Sequence, residues 1–159
     1  MQQPAAAEDS KPSPPPPTSD ERYYSLDETQ LQAVQDAKPW MTNPKHLQRV
    51  AVSPSAVMKM MQHCQSGVTK GITQGNGNPI EVMGLLLGRV DYHDNTSLIV
   101  TDAFPLPIEG FETRVIADDG AVINHMIALN ECLEGCRKEK FMGWYHSHPL
   151  MWENGRIAF

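Results

Sequence analysis

The sequence lacks any run of lysines or arginines. Its acidic and basic residues are interspersed and sum to a formal net charge of −6 over 159 residues. Such a chain carries no electrostatic footprint for a phosphate backbone or an anionic bilayer, so neither nucleic acid nor membrane is expected among its partners. No stretch approaches the roughly 18 apolar residues of a membrane-spanning helix, and the amino terminus has no positively charged start followed by an apolar run. Neither spanning nor secretion is therefore expected. Cysteine is scarce: Cys64, Cys132 and Cys136 are an odd number without a secretion signal, which fits reduced thiols in the cytosol or nucleus. The glycine-rich stretch at 66–79, SGVTKGITQGNGNP, lacks the Gly-x-x-x-x-Gly-Lys-Ser/Thr spacing of a phosphate-binding loop and is expected to be a flexible loop.

What is present divides the chain into three parts. Residues 1–22 are rich in Pro, Ser and charge with no recurring apolar position, which reads as a disordered tail. Residues 23–45 hold a short helix and linker. Ser25 and Glu28 form a capping box, and Pro39 disfavours a helical Lys38, so the helix should end near AKPW. Residues 46–159 form the domain. The run HLQRVAVS reads as a strand, and Ser53 and Pro54 then start a helix with Val57, Met60, Met61 and Cys64 on one face, where core packing is the expectation. EVMGLLLGRV and SLIVTDAF are strands joined by a polar turn, and PLPIEGFETRVIA is an irregular connection. A long helix follows over about 118–138, with Val122, Met126, Leu129, Leu133 and Cys136 on its apolar face and Arg137 and Lys138 at the end the helix dipole favours. FMGWY is a last strand leading into His146 and His148. This order of elements predicts a mixed α/β or α+β domain.

His146 and His148 carry the candidate chemistry. A period of two puts both side chains on one side of an extended backbone, and Pro149 keeps His148 extended. Two neutral imidazoles so placed begin a site for zinc or a similar metal, although two ordinary loop histidines have the same spacing. Catalytic zinc takes three protein ligands and leaves one position for water. Glu81, at the head of an apolar strand, is suited to move a proton, but it is also compatible with a solvated strand end. The rival trio His125, Cys132 and Cys136 shares a helix face but spans about 16 Å, too far for one zinc shell.

Taken in order, EVMGLLLGRV, EGFETRV and GWYHSHP resemble the zinc isopeptidase family called JAMM or MPN-plus, and with AKPW ahead of them its signalosome branch. The resemblance implies an MPN domain of the α/β (α+β) class, a cytidine-deaminase-like mixed sheet with flanking helices, incomplete at its C-terminal end. It implies Zn2+ as the only cofactor, with His146 and His148 as metal ligands and Glu81 as the catalytic general base. It gives Glu112 and Arg114 regulatory or substrate-engaging roles. It also implies partners among signalosome subunits, related MPN-domain proteins and cullins carrying a ubiquitin-like modifier, and a place in the cytoplasm and nucleus. The departure from the family pattern follows Pro149. Where the family has an oxyanion-supporting serine and a third ligand aspartate, this chain has Arg156 and Phe159, and the usual glycine is Leu150. Phenylalanine cannot bind zinc, so a weak or absent metal site is expected unless Glu153 substitutes. The resemblance therefore leaves two functions open, an impaired isopeptidase or a non-catalytic scaffold.

Overall fold

Between Glu81 and Val90 the run EVMGLLLGRV has apolar side chains at successive positions, as a strand covered on both faces needs. It becomes a central strand of the sheet. The computed structural model describes residues 25–74, 77–110 and 120–148, with the isolated positions 15, 18 and 21. In chain order the elements are α1 (Glu28–Ala37), α2 (Pro39–Thr42), β1 (Arg49–Val52), α3 (Pro54–Gln74), β2 (Glu81–Val90), β3 (Ser97–Gly110), α4 (Gly120–Glu134) and β4 (Lys140–His146). The sheet order is β1–β3–β2–β4. β2 runs antiparallel to both its neighbours, while β1 lies parallel to β3. The expected mixed α/β architecture with flanking helices is what forms.

Alternation along β2 divides the core. Leu86 turns with Tyr145 toward α3, where Ala56, Val100 and Ala103 are buried. Met83 and Leu85 turn the other way, toward Leu106 and Val122 at the start of α4. α3 and α4 thus cover opposite faces of the sheet.

Several local expectations change. α1 is capped by Asp27, whose carboxylate accepts from the amides of Thr29 and Gln30, and not by Ser25. Ser25 is engaged elsewhere, its carbonyl accepting from Arg89 Nη2 at 3.0 Å. The helix does end before Pro39, with Lys38 in the left-handed region at φ 43°. α3 continues to Gln74 through the supposed loop, because Gly67 and Gly71 supply close approach: a Cβ on Gly67 would meet Ile80 O at 2.6 Å. The buried face of α3 is accordingly Ala56, Gly67 and Gly71, whereas Met58 and Met61 are 66% and 67% exposed. β3 extends through Pro105 and Pro107 to Gly110. β1 pairs only with Ser97–Val100, so the absent proline donors fall beyond that ladder. α4 stops at Glu134, and Arg137 does not serve the helix end with its side chain but grips Glu139 through Nε and Nη2.

Candidate metal centre

His146 closes β4 opposite Met83 of β2. One residue on, Ser147 N–H donates to Val82 O at 2.9 Å, and the Val82 N–H donates to Ser147 Oγ at 3.0 Å. This extends the register and brings Glu81 level with His148 at the ends of the two strands. Residues directly opposed in an antiparallel pair share a face, so Trp144, His146 and Glu81 look to the α4 side. Tyr145 and Ser147 look to the α3 side.

The two histidines meet. Their Nε2 atoms lie 2.5 Å apart, with ring centroids at 4.3 Å. Both imidazoles therefore aim the same nitrogen at one point, a convergence that suits a shared metal ion and that spacing alone could not establish. His148 is exposed and His146 half-buried. Trp144, 59% exposed, stacks on the His146 ring with centroids 5.0 Å apart and fixes its plane.

The opposite face anchors the strand. The Tyr145 ring lies over Gly84, leaving no room there for a Cβ. Its hydroxyl is 3.0 Å from His63 Nδ1 on α3. Burial pushes the Tyr145 hydroxyl up to about 12 and depresses His63, so both are neutral near pH 7 and the contact is a hydrogen bond between uncharged groups. Sequence reasoning did not identify Trp144, Tyr145, Ser147 or His63 as part of this arrangement. The first three lie within the GWYHSHP block, but His63 is 82 residues from its partner and carries no local signal.

As ligands, the residues present fit two places in a zinc-like shell, with imidazole nitrogens of the right type. Among the described residues no group of three or more His, Cys, Asp or Glu side chains gathers, so Glu81 does not join the pair as a third ligand. Glu81 is half-buried at the strand end. His125, Cys132 and Cys136 are exposed on or just after α4 and form no such group either. Glu112, Arg114, Glu153, Arg156 and Phe159 lie outside the described residues.

Comparison with known proteins places the sequence in a family. The family described as JAB1/Mov34/MPN/PAD-1 ubiquitin protease matches residues 45–156. The COP9 signalosome complex subunit 5b of Arabidopsis thaliana is 42% identical over 134 residues, covering 83% of this chain and 33% of that protein. Subunit 5 of Gibberella zeae is 41% identical over 126 residues, 79% of this chain and 33% of its own length. Subunit 5 of Drosophila melanogaster is 41% identical over 126 residues, 79% of this chain and 35% of its own. The chain thus spans about a third of the length of the curated relatives it matches. With the paired strands, the converging histidines and these matches together, the chain belongs to the JAB1/Mov34/MPN/PAD-1 ubiquitin protease family and is a homologue of COP9 signalosome subunit 5.

Proposed function

We propose that this chain carries the framework of a signalosome isopeptidase with a metal site present only in part. The reaction class is hydrolysis of an isopeptide bond between a lysine side chain and the carboxyl terminus of a ubiquitin-like modifier on a cullin. The observation that carries this reading is the convergence of His146 and His148 at a strand end level with Glu81. His146 and His148 would hold zinc, which when bound supplies polarisation of the carbonyl and acidification of water. Glu81 takes the proton from the attacking water and returns it to the leaving amine, so hydroxyl is added to the carbonyl carbon and hydrogen to the lysine nitrogen. Glu112 and Arg114 would act in switching and substrate engagement. Phe159 at the third-ligand position and Arg156 at the serine position leave the site short of charge and of an oxyanion donor, so catalysis is lost or very low.

The test measures zinc content of the purified chain beside cleavage of a modified cullin. Substoichiometric zinc and no cleavage are expected. One tightly held zinc per chain, with cleavage abolished by Glu81→Gln, would overturn the impaired-site reading. The double substitution Arg156→Ser with Phe159→Asp is expected to raise zinc affinity.

A second reading, a non-catalytic interaction module in the cytoplasm and nucleus, is favoured by the exposed apolar residues Val50, Met58 and Met61, 60%, 66% and 67% exposed on β1 and α3. It predicts zinc-independent binding to other signalosome subunits, and absence of that binding removes it. The sheet is further read as cytidine-deaminase-like, which superposition of an experimental structure on that fold would check.

A further inference from the structure

On an extended backbone His146 and His148 share a face, and how closely their rings converge depends on their rotamers and on the path of the main chain between them. Side chains two residues apart on an extended chain stand about 7 Å apart and run parallel. Here the Nε2 atoms lie 2.5 Å apart, and β4 with its regular pairing to β2 ends at His146, so the backbone leaves the ladder between the two histidines.

Leaving the ladder carries a cost at Val82. In a regular antiparallel pair the residue opposite Val82 would both donate its N–H to Val82 O and accept the Val82 N–H at its own carbonyl. Here the first bond exists, Ser147 N to Val82 O at 2.9 Å, but the second goes to Ser147 Oγ at 3.0 Å. The hydroxyl stands in for the carbonyl. It keeps the buried Val82 amide bonded at the point, between the two histidines, where the main chain departs from the regular ladder. An orphaned amide at this buried position would be left without either water or a partner, which is destabilising.

We propose that Ser147 is the positioning residue of the histidine pair, its side chain releasing the backbone from β2 so that the two imidazoles converge. Its hydroxyl is engaged by the Val82 amide, so its part is to position the chain rather than to ligate. The proposal deepens the metal-site reading given above and rests on that reading only for its zinc arm.

The experiment uses the full chain, metal-free and isotope-labelled, as wild type and as Ser147→Ala, Ser147→Thr and Ser147→Val. Thr and Val have the same shape and differ in the acceptor, so the comparison holds even if the smaller variant unfolds. The decisive readout is cross-relaxation between the ring protons of His146 and His148, with exchange of the Val82 amide alongside. Wild type and Ser147→Thr are expected to show the ring contact and a protected amide. Ser147→Ala and Ser147→Val are expected to lose the ring contact, whether the carbonyl of residue 147 returns to Val82 or the amide is left open. A ring contact equally strong in Ser147→Val would overturn the proposal. Zinc affinity, measured by competition with a chromophoric chelator, should fall about tenfold or more in the two variants without a hydroxyl, the range seen when a group that orients a ligand is removed. Failure of the wild type to take any zinc would remove only the zinc arm, while the ring contact still decides the role of Ser147.

Discussion

Glu139 shows how much a single side chain contributes away from the site. Arg137 clasps its carboxylate with Nε and Nη2 at 3.0 and 2.7 Å, and Thr101 Oγ1 donates to it at 3.0 Å. The Arg137 bond, opposed by burial, holds Glu139 at about 2. A carboxyl depressed on folding stabilises the protein above its unfolded value near 4.5 and loses that contribution as pH falls toward 2. Arg137 is partly exposed, so solvent screening trims the contribution to on the order of 2 kcal/mol. Urea midpoints taken across this window should therefore fall with pH in the wild type and much less in Arg137→Ala, which should already be weaker at pH 7. Tyr145→Phe tests another half-buried contact. Loss of the bond to His63 is expected to cost about 1 kcal/mol in urea unfolding. At this scale the sequence was readable only where chemistry repeats locally. His146 and His148 announce themselves by spacing, whereas Tyr145 finds His63, and Arg89 finds Ser25, across distances that no window of sequence spans.

Elements were legible where burial follows a period and obscure where a residue serves a neighbour. β2 and β4 were readable as apolar runs, and the start of α3 from Ser53, whose Oγ accepts from the Ala56 amide at 3.2 Å. The second half of α3 was not, because glycine ordinarily signals looseness. Here Gly67 and Gly71 let the helix press against the chain entering β2, with Ile80 N–H donating to Gly67 O at 3.2 Å. The consequence has an unusual sign. On an exposed helix Gly→Ala stabilises by up to about 1 kcal/mol. Gly67→Ala should instead destabilise by about 1–3 kcal/mol, since the new methyl meets a carbonyl and the Val82 side chain. Equilibrium urea unfolding of that variant beside the exposed control Ser66→Ala distinguishes the two. β3 was underestimated for a related reason: prolines normally end a strand, but they are tolerated in β3 past the short reach of β1.

For the whole molecule, the architecture class followed from the order of elements, but the register did not. Nothing local in EVMGLLLGRV says that Met83 will face His146, so a link between Glu81 and the histidines could be reached only through resemblance. The register is set by long-range pairing together with Gly84, whose missing side chain makes room for the Tyr145 ring. Gly84→Ala is accordingly expected to weaken the protein and to disturb the histidine pair together, read as a lower urea midpoint and a loss of cross-relaxation between the two rings.

Among the described residues β4 has only one neighbour, β2. Both imidazoles ride at its far end, joined to the rest by the Val82–Ser147 bonds and the Tyr145–His63 contact. Such a strand can detach while the β1–β3–β2 portion stays folded, so amides of β4 should exchange with solvent at a lower opening free energy than those shared by β2 and β3. During synthesis the same dependence sets an order of events: β2 and β3 can pair before β4 has emerged, and the two histidines acquire their geometry only as β4 docks.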